Sequence, residues 1–138
     1  MNARIWFAWP RATLLIASGP DHDPGRKHLF VLLTSGLGEQ EEVLLVNLQS
    51  IDPEVAHDGA CTLQVGDHPF VRHPSFMRYD QCRKVAAEKL TAAVADGRMV
   101  ARDPMSPEVY DRICAGLHDS AHTPTWAKTM LLWHQNLA

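Results

Sequence analysis

The chain has 138 residues, 46% of them hydrophobic and 21% charged, with a formal net charge of −3 at pH 7. Those figures describe one globular domain large enough to bury a core without disulfides or metal, and they exclude a disordered or fibrous chain. No apolar run approaches the ~20 residues that a membrane-crossing helix needs. The opening run Ile5-Trp6-Phe7-Ala8-Trp9 is cut off by Pro10 and Arg11 and is too short for the apolar part of a signal peptide. Cys61, Cys82 and Cys114 form no paired spacing, so free thiols in a reducing cytoplasm, away from membranes, are expected.

In chain order, the first two thirds predict short strands. Residues 12–17 form a β-type run closed by Ser18-Gly19-Pro20. Residues 28–34 form a second, closed by Ser35-Gly36, and residues 42–48 a third that stops before Asp52-Pro53. The second and third are almost continuously apolar, the pattern of strands buried on both faces. Residues 61–65 and 76–80 alternate apolar and polar side chains as half-buried strands do. About five short strands with turn signals between them predict a small barrel or a strongly bent sheet.

The last third changes period. Residues 85–95 place Ala86, Leu90, Ala93 and Val94 at helical spacing, and Asp96-Gly97 supplies a left-handed stop. Ser106 as N-cap, Pro107 in the first helical position and Glu108 in the first turn begin a second helix, with Val109, Ile113 and Leu117 on one face. The tail from Thr123, with Trp126, Met130, Leu131, Leu132 and Trp133, predicts a short docking helix. The expected organisation is a single α+β domain over 1–138, mainly β, with its strands in 12–84 and a helical part in 85–138.

Charge is unevenly spread. Between His68 and Leu90 stand Arg72, Arg78, Arg83, Lys84 and Lys89 against Asp80 and Glu88 alone, and Arg26-Lys27 adds a second basic point. A local basic face on an acidic body steers anionic ligands despite the net sign, whereas scattered solvated Lys and Arg would do nothing. Within that stretch, Arg78 and Asp80 lie two residues apart and share a face if 76–80 is a strand. Such a pair is either a structural ion pair or a phosphate site, because a guanidinium presents a planar fork of donors that matches phosphate oxygens. Asp80 then either accepts a proton, if burial raises its pKa, or holds Arg78 in place. His68 and His73 lack the spacing and the intervening Glu of a helical zinc motif, so no metal is expected. No Ser occupies a glycine-flanked elbow, and the cysteines sit in patterns that bury them.

The run Met77-Arg78-Tyr79-Asp80-Gln81-Cys82-Arg83-Lys84-Val85 resembles the hydrophobe-Arg-x-Asp-Gln-x-Arg-x-hydrophobe segment of the PemK/Kid/MazF toxins, small cytoplasmic ribonucleases of toxin-antitoxin pairs. Gly25 to Val31 is similar to the glycine-basic-proline stretch that opens their second strand, with His28 at the proline position. Glu42 to Ser50 resembles their next strand, and Ser106-Pro107-Glu108-Val109 the start of their last helix. The resemblance spans about residues 12–119; the Asp67–Ser75 segment, the first eleven residues and the tail have no counterpart.

The resemblance implies a Src-homology-3-like barrel with appended C-terminal helices, a homodimer, and growth-inhibiting cleavage of single-stranded RNA without a metal or other cofactor, held in check by an acidic antitoxin. It implies Asp80 as base and Arg78 as phosphate stabiliser or acid, with His22 as a proton-shuttling helper. It further implies RNA contacts from Arg26, Lys27, Arg83 and Lys84, and a base stacked on Tyr79 or Phe76. Arg72 and His73 extend that basic surface, and an active site moved onto His68, Arg72 and His73 is a variant of the same expectation. Two alternatives stand beside it: a barrel of the same lineage that binds a protein or nucleic acid without cutting, and a metal-dependent hydrolase built on His68, His73 and His22.

Overall fold

The computed structural model describes residues 6–137, so what the sequence predicts for 1–5 and 138 lies outside the described residues. The two most apolar runs form the centre of the sheet. Strands β1 (Thr13–Ala17), β2 (Lys27–Leu32) and β3 (Glu42–Ser50) pair antiparallel in that order, with Leu14 opposite Phe30 and Val31 opposite Val46. As their composition predicts, β2 is buried from Leu29 to Leu32 and β3 from Val43 to Leu48. Strand alternation sends Leu29, Val31, Leu44, Val46 and Leu48 into one apolar cluster and Phe30, Leu32, Val43 and Leu45 into another, one on each side of the sheet.

The remaining strands are short: β4 (Thr62–Leu63), β5 (Ser75–Met77), β6 (Arg83–Ala86) and β7 (Val100–Arg102). The sheet runs β4-β5-β3-β2-β1-β7, with β6 also on β3, and it is open, since no pairing joins β4 to β7. Among the described residues the fold is thus α+β, dominated by an antiparallel sheet of seven strands rather than about five. The two unforeseen strands have different origins. Residues 85 and 86 fit helical spacing, but the edge of β3 at Glu42–Leu45 pairs with Arg83–Ala86, so the helix starts two residues later than predicted. Residues 100–102 carry no apolar period and become a strand only because β1 offers them a free edge, Thr13 opposite Arg102.

The strand expected over 76–80 ends at Met77. Arg78 continues the ladder by one backbone bond, its N–H donating to the Asn47 carbonyl at 2.8 Å, and the chain then folds into a single 3₁₀ turn, Tyr79–Gln81. Tyr79 drives that turn. Its ring is wholly buried, and its hydroxyl donates to the Ile113 carbonyl at 2.7 Å.

Helix α1 (Ala87–Ala95) covers the second cluster with Leu90 and stops where predicted, at Gly97 with φ +83°. Helix α2 (Pro107–Asp119) begins at the predicted cap, Ser106 Oγ accepting from the Val109 N–H, and lays Val109, Ile113 and Leu117 on the first cluster. The tail forms α3 (Thr125–Leu137), docked on the same cluster through Ala127 and Leu131. Each of these buried leucines contributes about 1.5–3 kcal/mol relative to an exposed one. Among the described residues no helix is long and apolar enough to cross a membrane.

Gly116 of α2 is pressed against the Tyr79 hydroxyl and Cβ of Cys61, so a methyl group there would overlap both. Gly116→Ala gains up to about 1 kcal/mol of helix propensity but overpacks this contact at a cost of about 1–3 kcal/mol. The expected outcome is a net loss of stability in chemical denaturation, with the 3₁₀ turn displaced.

Candidate functional site

The end of β1, the start of β2, the end of β3 and the residue after β5 converge at one end of the sheet. Arg78 is the hub. Its Nε donates to Asp80 Oδ1 at 2.9 Å and its Nη2 to Oδ2 at 2.8 Å, while Nη1 donates to Gln49 Oε1. The turn at Tyr79–Gln81, rather than strand alternation, brings Asp80 back to Arg78, so the predicted pair forms by a different route. A guanidinium carries five N–H groups; three are engaged here, leaving one on Nη1 and one on Nη2 for a ligand.

Those hydrogen bonds settle the charge state of Asp80. The hydrogen bonds from the Arg78 guanidinium hold its carboxyl below the usual carboxylate range; partial burial is the next influence and opposes them, and His122 adds a smaller push in the same direction as Arg78. An ionised carboxylate with both oxygens on one arginine is an anchor for that arginine and a weak proton acceptor.

His28 is the residue that sequence reasoning passed over. It lies on β2 on the same face as Phe30, and the register that sets Phe30 opposite Asn47 sets His28 level with Gln49 two residues on. Its Nδ1 is 2.8 Å from Ser18 Oγ, which is itself 3.2 Å from the Ile16 carbonyl. A hydroxyl that donates to that carbonyl is able to accept from Nδ1–H, and in that tautomer Nε2 is the basic nitrogen. Burial lowers the His28 pKa from 6.5, and the positive charges of Arg26, Arg78 and Arg83 lower it further. The imidazole is therefore neutral at pH 7. The only sequence signal for it was the exchange of proline for histidine beside Arg26-Lys27.

Two clefts meet at this point. One, of about 360 Å³, is lined by Arg26, Lys27, His28, Gln49, Arg72, His73 and Arg102 among others. The other, of about 570 Å³, shares Arg26, His28, Gln49 and Ser50 and adds Ser18, Asp52 and Gln81. Four of the predicted RNA-binding residues, Arg26, Lys27, Arg72 and His73, thus line a single cleft. Arg83 lies over the Phe30 ring, 4.8 Å from its centroid, and acts on His28. Lys84, the next residue on β6, takes the opposite face, with Nζ 5.5 Å from the centroid of Trp126.

Other predicted residues are placed elsewhere. His22 is exposed in a loop that the Ser18 N–H closes on the Arg26 carbonyl at 2.8 Å, and it lines neither cleft. Tyr79 is core and cannot stack a base; Phe76 is buried, with the Arg78 guanidinium 5.8 Å from its centroid. His68 is a structural residue: it is buried, Nε2 lies 2.6 Å from the Asp103 carbonyl, and Nδ1 accepts from the Phe70 N–H at 3.1 Å. Both ring nitrogens are therefore committed. Among the described residues no three His, Cys, Asp or Glu side chains gather closely enough to hold a metal ion. Burial pushes the thiol of Cys82 up to about 12 and that of Cys114 up to about 11, which leaves neither as a nucleophile.

Because the folded pKa of His28 lies below its ordinary 6.5, the unfolded chain binds its proton first. The stability that this residue contributes is present above pH 6.5 and is lost as the pH falls through 6.5 toward the folded value. A histidine NMR titration is expected to place the His28 midpoint below 6.5, and Arg78→Gln to move it upward by removing one of the three charges. A His28→Gln variant is expected to lose less stability between pH 7 and pH 5 than the wild type; His134, also lowered by burial, keeps part of that slope in both. A comparison with protein-family models finds no match to the chain, and a comparison with curated proteins finds none.

Proposed function

We propose that the chain is a metal-independent endoribonuclease, the toxin of a type II toxin-antitoxin pair, that cuts single-stranded RNA by attack of a ribose 2′-hydroxyl on the adjacent phosphate. One observation carries this reading. Arg78, clamped by Asp80 and Gln49 with two N–H groups unengaged, lines neither cleft itself but is bonded to Gln49, which lines both together with Arg26 and with His28, a histidine kept neutral by burial and nearby arginines. A neutral imidazole and a fixed cationic fork are the two groups that transesterification at phosphorus requires.

In this mechanism the phosphodiester lies against the two open N–H groups of Arg78, with Arg26, Lys27 and Arg72 on the neighbouring phosphates. Nε2 of His28 takes the proton of the 2′-hydroxyl as its oxygen bonds to phosphorus. The bond from phosphorus to the 5′-oxygen breaks, and that oxygen takes its proton from water in the open cleft. The products are a 2′,3′-cyclic phosphate and a free 5′-hydroxyl. Charge that grows on the phosphoryl oxygens in the transition state meets a guanidinium already oriented by Asp80 and Gln49, so little reorganisation is required. The base is therefore His28, in place of the Asp80 that the toxin resemblance implies, and Asp80 is a positioning residue.

The finer features of the resemblance belong to the same reading. A cytoplasmic homodimer and an acidic antitoxin segment laid over Arg26, Lys27 and Arg72 fit a basic cleft on a chain of net charge −3. A Src-homology-3-like barrel is supported by β3, whose one edge passes from β6 at Glu42–Leu45 to β5 at Leu48–Ser50, as in a sheet that bends round on itself.

Incubation of the purified protein with a long defined RNA in EDTA tests this directly. Discrete cleavage is expected, with the rate rising through the His28 pKa below 6.5 and level above it. Arg78→Ala is expected to slow it about 10²–10³-fold and His28→Gln about 10²–10⁴-fold. Asp80→Asn, which leaves the guanidinium present but loosely held, is expected to cost less than either. Intact RNA under all these conditions would favour the non-cutting binding module.

A further inference from the structure

A third cavity, of about 670 Å³, adjoins the basic cleft and shares Pro69, Phe70 and Arg102 with it. One further wall comes from the N-terminal segment, where Phe7 and Trp9 stand 56% and 59% exposed, large apolar areas to leave in water, and another from residues 101–104. Their rings meet edge to face at 6.4 Å, and the segment is tied down. The Arg11 N–H donates to the Leu32 carbonyl at 2.9 Å, and the Arg11 carbonyl accepts from the Met105 N–H at 2.8 Å. Arg11, at the cavity's lip, holds φ +76°, a left-handed conformation that costs a non-glycine residue energy and is kept only where the surroundings impose it. On the shared wall the Arg102 guanidinium lies 5.9 Å from the Phe70 ring centroid.

The volume is that of a ligand site; four aromatic rings, Trp6, Phe7, Trp9 and Phe70, line it beside Arg11, Asp103 and Arg102, and the wall that carries Arg102 is shared with the cleft of Arg72, Lys27 and Arg26. A ligand that fits both compartments is a polyanion carrying flat apolar groups at intervals, which describes single-stranded RNA: phosphates over the cations, a base in the aromatic cavity. We infer that the cavity between the N-terminal aromatic segment and Phe70 is a base-stacking subsite for a nucleotide flanking the cleaved phosphate, with Trp9 as its principal platform and Arg102 at its gate. The inference rests on the reading of the basic cleft as an RNA site. It gives the N-terminal segment, unmatched in the toxin resemblance, a part in choosing where RNA is held.

Two uncleavable strands test it: a 2′-O-methyl RNA decamer and an abasic decamer with the same phosphates, each measured by fluorescence anisotropy. Trp9→Ala is expected to weaken the RNA strand about 5- to 150-fold, the range for loss of one stacked base, and to leave the abasic strand unchanged. Phe7→Ala is expected to act in the same direction, and Trp133→Ala, on the exposed face of α3, to change neither. Equal affinity of the wild type and Trp9→Ala for RNA, an equal loss on both strands, or no binding of RNA by the wild type would each overturn the subsite. Cleavage of unmodified RNA, assayed in parallel, separates the two proposals. Base-dependent loss in Trp9→Ala without any cleavage removes the nuclease and keeps the subsite; cleavage with no dependence on Trp9 does the reverse.

Discussion

Tyr79 sits between the two residues that define the site, and its burial sets where both of them go. The ring is enclosed by the first apolar cluster, the hydroxyl is bound to the Ile113 carbonyl, and Gly116 leaves room for it on α2. A buried phenol without an acceptor would cost about 1–3 kcal/mol, so the turn that delivers this hydroxyl to α2 is strongly determined. Arg78 and Asp80 stand on either side of that anchored ring, and the same turn that buries Tyr79 brings their side chains together at the surface. The helix packed on the far side of the chain thus holds the geometry of the cleft.

The electrostatics of the cleft depend on crowding like charges around a residue that can lose its own. Arg26, Arg78 and Arg83 all act on His28, and the imidazole responds by staying neutral. Arg78 avoids a similar penalty because Asp80 neutralises it and Gln49 takes a third donor. An overall negative chain therefore presents a locally positive cleft with a neutral imidazole inside it. Asn47, on the same face of β3 as Gln49, is buried with its side-chain oxygen unpartnered among the described residues, a further polar atom spent at this end of the sheet.

The parts of this arrangement that were legible in the sequence are those governed by local rules. Apolar runs marked β2 and β3, and Ser106-Pro107 marked the start of α2, because burial on both faces and capping leave their signature within a few residues. The Arg78–Asp80 pair was legible because two residues apart is close in a strand and in a 3₁₀ turn alike, even though the strand was the wrong choice. His68 read as reactive because Asp67, Arg72 and His73 stand near it in sequence, whereas its two hydrogen bonds to backbone at Asp103 and Phe70 are invisible from residue order.

What the chain determined by itself is an α+β domain with a doubly buried sheet centre, capped C-terminal helices and a basic cluster around Arg78. Tertiary structure decided the rest. It made strands of Arg83–Ala86 and Val100–Arg102 by offering them the open edges of β3 and β1. It set His28 beside Ser18 and level with Gln49, separated Arg83 from Lys84 across the sheet, and left His22 outside the clefts. The physical reason is common to all of these: pairing edges, hydrogen-bond partners and the field on a titratable group come from residues distant along the chain. Periodicity and spacing report only on neighbours within one element.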